Sequence, residues 1–123
     1  MICAAAISIG AIGVFPSPGQ ASTTREKFFY GLGYVLNKEP RSSGDESALQ
    51  LLAGMNSSQK EKIYGMGKTY CAAILRKGGS SDKYLAMIKK TIVDGNYSSD
   101  TKEMLWALRL AIASAAKYAV CPD

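Results

Sequence analysis

At 123 residues, with a net charge of +5 and no histidine, the chain is about the size of one small domain. Without histidine no side chain has an unperturbed pKa near neutrality, so the commonest general base and metal ligand is missing. The mild basic balance permits attraction to anionic glycans, lipids or nucleic acid but specifies none of them.

The first stretch differs from the rest. Ile2 to Phe15 is apolar and uncharged and runs into Pro16-Ser17-Pro18-Gly19, and charge begins only at Arg25. That run is short for a bilayer span, which needs roughly 20 residues, but it matches the apolar core of a secretory signal peptide. Gly19-Gln20-Ala21 offers small residues at the first and third positions before a cut, so cleavage is expected after Ala21. The expected organisation is a signal peptide over 1–21 and a single helical domain over 22–123. No Lys or Arg precedes the apolar run, which keeps an uncleaved anchor or a buried first helix as alternatives.

Cys3 would leave with the leader, and Cys71 and Cys121 remain. An even number of cysteines in an exported chain reads as a disulfide. Closing a loop of that size is worth about 4 kcal/mol by the chain-entropy estimate. A redox pair would place its thiols close in sequence, and two thiolates without histidine make a poor zinc site.

The expected fold is all-α, a small four- to five-helix bundle stapled by one disulfide. A first helix is predicted from Thr24, as cap, to Leu36, with Glu26 in its first turn and Phe28, Leu32 and Val35 on one apolar line. Gly31 and Gly33 weaken it, and either close helix contact or a small pocket would explain them. Asn37 to Gly44 reads as a loop around Pro40. A short helix follows from Asp45 to Ala53, with Leu49, Leu52 and Ala53 facing inward, and Gly54 ends it.

The third helix has a Ser58-x-x-Glu61 capping box and an apolar face of Ile63, Met66, Gly67, Tyr70, Cys71 and Ile74. Arg76 and Lys77 close it and Gly78-Gly79 stops it. Ser81 caps a fourth helix to about Val93, with Leu85, Ile88 and Ile92 on the core side. Asp94-Gly95-Asn96 is a turn. The last helix opens on an Asp100-x-x-Glu103 box and runs through Met104, Leu108, Ile112 and Ala115 to about Ala119. It is apolar on most faces, which suits the centre of a bundle. Cys121 and Pro122 follow directly, so the bridge would tie the end of the last helix to the middle of the third.

Chemistry-bearing groups are accounted for by structure. Glu26, Asp45, Glu61, Asp82, Asp100 and Glu103 fall at helix starts, where caps and dipoles use them. The serines cluster in loops and caps and have no histidine to activate them. Gly65-Met66-Gly67-Lys68 has the order of a phosphate-loop tail but lies mid-helix, without the strand and upstream glycine. No catalytic residue, metal site or cofactor is expected. Asn56-Ser57-Ser58 and Asn96-Tyr97-Ser98 fit the glycosylation triplet, a frequent chance match.

Seven tyrosines are many for this length. Their amphipathic rings suit either the rim of a thin core or an interface. Tyr64, Tyr84, Tyr97 and Tyr118, with Lys89 and Lys90 among the neighbouring lysines, are the candidate binding surface.

The second half resembles the domain-of-unknown-function 732 family, small exported proteins common in actinobacteria. The resemblance rests on Gly67 with Cys71 and Leu75, on Gly78-Gly79-Ser80, and on an alanine-rich helix closed by Cys121-Pro122. Phe28, Phe29 and Leu32 match the opening aromatic-aliphatic helix. Val120 stands where the family usually has Tyr, and the aspartate often found before the aromatic pair is absent. The resemblance implies an exported helical domain with one disulfide, Cys71 and Cys121 taking the family's cysteine places, and no catalytic residues.

The expected role is therefore a non-enzymatic interaction or structural module, secreted or in the periplasm or cell envelope. Its partner would be a protein or envelope component, with peripheral membrane or anionic glycan contact and no nucleic acid. The alternatives are a carrier of a small apolar ligand or lipid, built on Met55, Met66, Met87 and Met104, and an accessory subunit of a membrane complex anchored by its leader.

Overall fold

A computed structural model describes residues 23–122. The expected leader, its cleavage point after Ala21 and Cys3 lie outside the described residues. Among the described residues the fold is all-α, with five helices: α1 (Thr24–Leu36), α2 (Ser43–Ala53), α3 (Ser57–Leu75), α4 (Ser81–Asp94) and α5 (Ser99–Ala119).

Local chemistry sets each start. Three helices open on reciprocal boxes, in which the cap oxygen accepts an orphan backbone N–H and the third helical residue returns the bond. In α1 the Glu26 N–H donates to Thr23 Oγ1 at 3.1 Å, and the Thr23 N–H donates to Glu26 Oε1 at 2.8 Å. Ser42 with Asp45 and Asn56 with Gln59 do the same for α2 and α3. Ser80 and Ser98 cap α4 and α5 through their hydroxyls alone. The observed caps therefore precede the expected ones: Thr23 for Thr24, Asn56 for Ser58, Ser80 for Ser81 and Ser98 for Asp100.

The α5 helix lies at the centre and touches each of the other four. Its Ala111, Ala115 and Ala116 are completely buried, beside Leu108 and Ile112. Small side chains on that face let the flanking helices approach closely. The closest partner is α1, whose Phe28, Leu32 and Leu36 recur every fourth residue and are all fully buried. Each such side chain contributes about 2 kcal/mol by removal from water.

Two close approaches explain two glycines. A Cβ on Gly67 would lie 2.8 Å from Cε1 of Phe28, a ring with no exposed surface, so α3 meets α1 where it carries no side chain. A Cβ on Gly44 would lie 2.7 Å from the Glu103 carbonyl oxygen. Gly44, expected in a loop, is in fact a buried residue of α2's first turn, because that turn lies against the backbone of α5. The inner face of α2 shifts accordingly. Ala48 is fully buried and Leu49 and Leu52 pack against the core, whereas Ala53, expected inward, is exposed at the helix end.

The predicted face of α3 is the observed one. Ile63, Gly67, Tyr70 and Cys71 are buried, and Met66 and Ile74 pack at the margin. Gly78 turns the chain into α4 with φ of 79°, a backbone conformation that glycine adopts without a Cβ clash. The α4 helix is held differently from the rest, since Ile92 is its one buried residue.

Cys71 and Cys121 form the disulfide, their Cα atoms 5.1 Å apart across a sequence separation of 50. At the end of α5 the N–H groups of Val120 and Cys121 both donate to the Ala116 carbonyl, at 2.7 and 2.8 Å. That turn points Cys121 back toward α3.

Candidate functional site

The residues expected to form a binding surface fall into several neighbourhoods. Tyr64 belongs to a knot between α1 and α3. Its ring meets the Phe28 ring edge-on at 5.5 Å, and Phe28 meets Phe29 at 5.1 Å. The Arg25 guanidinium lies 5.6 Å from the Tyr64 ring and 6.0 Å from that of Phe29, and Arg25 also pairs with Glu61. The Lys68 ammonium sits 4.9 Å from the Tyr64 ring. Cations over aromatic faces stabilise such a seam by about 0.5–1 kcal/mol each at exposed sites. Glu61, expected in a capping box, is thus a partner of Arg25, and Gln59 closes the box with Asn56.

Tyr30 of α1 lies near both Tyr118, at the end of α5, and Tyr34 of its own helix. Burial, then the neighbouring Tyr118 and Tyr34, push the Tyr30 phenol above its ordinary value of 10.0. Tyr97 lies in the α4–α5 turn with its ring over Gly95, where a Cβ would come within 2.5 Å of it.

Tyr84, Lys89 and Lys90 belong to α4. The Tyr84 ring meets Tyr70 edge-on at 5.7 Å. Tyr70 is only 1 % exposed, and its hydroxyl lies 2.7 Å from Ser81 Oγ, so the buried phenol keeps a hydrogen-bond partner. The Lys89 ammonium lies 5.3 Å from the Trp106 ring of α5. Lys90 donates to Asp94 at 2.7 Å on the outer surface.

Beside Tyr84 the α3–α4 turn borders an open cavity of about 90 Å³, lined by Arg76, Gly79, Ser80, Lys83, Tyr84 and Met87 among others. Lys83 reaches back along this wall to donate to the Gly78 carbonyl at 3.1 Å. Sequence reasoning assigned Arg76 to the end of a helix and Met87 to a carrier's lining. The glycine pair that stops α3 also brings α4 back against it, and that return produces the cavity. Met55, Met66 and Met104 pack against the core instead, and Met87 is 55 % exposed.

Among the described residues no group of three or more His, Cys, Asp or Glu side chains could hold a metal ion. Several carboxylates have structural partners: Glu26 and Asp45 close caps, Glu61 meets Arg25, Asp94 meets Lys90, and Glu103 accepts from Ser43 Oγ at 3.4 Å. No helix among the described residues is long and apolar enough to cross a membrane.

These features define a class, the small all-α protein stapled by one disulfide. Compared with family models, curated proteins and solved structures, the chain finds no match in any of the three.

Proposed function

We propose that the chain is an exported, non-enzymatic module of the cell envelope that works by binding another component or by bracing one. The Cys71–Cys121 bridge carries this reading. Such a cross-link persists in an oxidising compartment and is rare in a reducing cytosol. The apolar run from Ile2 to Phe15 and the small residues up to Ala21 agree with export, as does the resemblance to the domain-of-unknown-function 732 family.

The test is the intact mass of the protein isolated under thiol-blocking conditions from its source cell. The expected species begins at Ser22 and carries no blocked thiol at Cys71 or Cys121. Two blocked thiols there would overturn the reading. A chain that keeps the leader and stays with the membrane would favour an anchored subunit instead.

A further inference from the structure

We infer that the outer face of α4, with the α3–α4 turn, is a docking surface for an anionic phospholipid membrane. The inference specifies a partner for the envelope module proposed above and rests on that reading for its setting.

Charge is the first observation. From Arg76 to Lys90 the chain carries Arg76, Lys77, Lys83, Lys89 and Lys90 against one acid, Asp82, so this short segment holds most of the net charge of +5. Lys89 is turned toward Trp106. Arg76, Lys77, Lys83 and Lys90 are exposed. Lys83, Met87 and Lys90 follow at steps of four and three, so they share one side of the helix. Asp94 lies on the same side and is paired with Lys90.

Exposed apolar surface is the second. Among the described residues the four most exposed large apolar or aromatic side chains are Leu75 at 56 %, Met87 at 55 %, Val93 at 53 % and Tyr97 at 51 %. All four lie between the end of α3 and the turn before α5, the segment that also carries the charge. A soluble polyanion would use the cations and leave Met87 in water. A bilayer interface takes both, because a helix lying in its plane buries apolar side chains below the headgroups while its lysines meet the phosphates. Each cation near an anionic leaflet is worth about 1 kcal/mol, and salt screens it.

The experiment is cosedimentation of the natively isolated protein with vesicles of phosphatidylcholine, and of phosphatidylcholine mixed with phosphatidylglycerol. Binding is expected only to the anionic vesicles and should weaken as salt is raised. Arg76→Glu with Lys83→Glu should weaken it at least about tenfold. Met87→Ser should weaken it severalfold and leave the melting temperature unchanged. No binding to anionic vesicles overturns the inference, and so does binding that neither variant alters. Equal binding to soluble heparin, insensitive to Met87→Ser, assigns the face to an acidic glycan and also overturns it. Export is read separately from the intact mass, so a cytosolic chain that binds vesicles, or an exported one that does not, tells the two ideas apart.

Discussion

The α1–α5 seam and the α4 helix are built on opposite terms. In the seam Phe28, Leu32, Leu36, Ala111, Ala115 and Ala116 have no exposed surface. The α4 helix has one buried residue, Ile92, and is otherwise held by Tyr84 and Leu85 at the core margin, the Tyr70–Ser81 hydrogen bond and Lys89 over Trp106. One region is specified by shape and the other by a few discrete contacts. Stability should therefore concentrate in the seam, and α4 should open at lower cost than the whole molecule.

The most severe test of that contrast is Phe28→Ala, which should cost about 4 kcal/mol in urea denaturation because the cavity lies where α1, α3 and α5 meet. A loss below about 1 kcal/mol would mean that the seam is not the stable region. Replacing Cys71 and Cys121 together by alanine should cost a similar amount, about 4 kcal/mol, since a closed loop of this size restricts the unfolded chain. Gly67→Ala should cost about 2 kcal/mol by forcing a methyl group against the Phe28 ring. The same change at Gly65, where a Cβ would meet nothing within 4 Å, serves as its control.

Smaller effects belong to α4. Tyr70→Phe should cost about 1 kcal/mol and raise amide exchange in α4 more than in α1. Uniform acceleration across both helices would erase the distinction. The smallest effect is at Tyr30, whose phenol is held above 10.0 chiefly by burial. A raised folded-state value means that its contribution is complete below the unfolded value and is lost as pH rises above it through the folded one. Tyrosinate absorbance should show Tyr30 titrating late, and Tyr118→Phe should lower its value only in part, since burial is the larger cause.

The helices were legible because their faces repeat at three and four residues, and because the seam and the bridge lie on those faces. Ile63, Gly67, Tyr70 and Cys71 could be read from spacing alone. Cap positions were less legible, for the local reason that several capping residues stand in a row. Thr23-Thr24, Asn56-Ser57-Ser58 and Ser98-Ser99-Asp100 each offer more than one start, and in each the earliest closes the helix. Gly44 was misread for a different reason. Its environment is the backbone of Glu103, far along the chain, and no window around Gly44 contains that contact. The tyrosines were hardest to place. A ring's partners come from other helices, so composition announced an aromatic surface but could not show that Tyr64 packs on Phe28 while Tyr84 packs on Tyr70.

The bridge also decides how the molecule would respond to force. Tension applied to the backbone beyond Cys121 enters α3 directly at Cys71, because the covalent link is shorter than the path through the chain. With the bridge intact, α4 and α5 form a sheltered loop that carries no load. A reductant would release a hidden length of about 170 Å, at about 3.4 Å per residue. The helix with the fewest buried contacts thus sits inside the mechanically shielded part of the molecule.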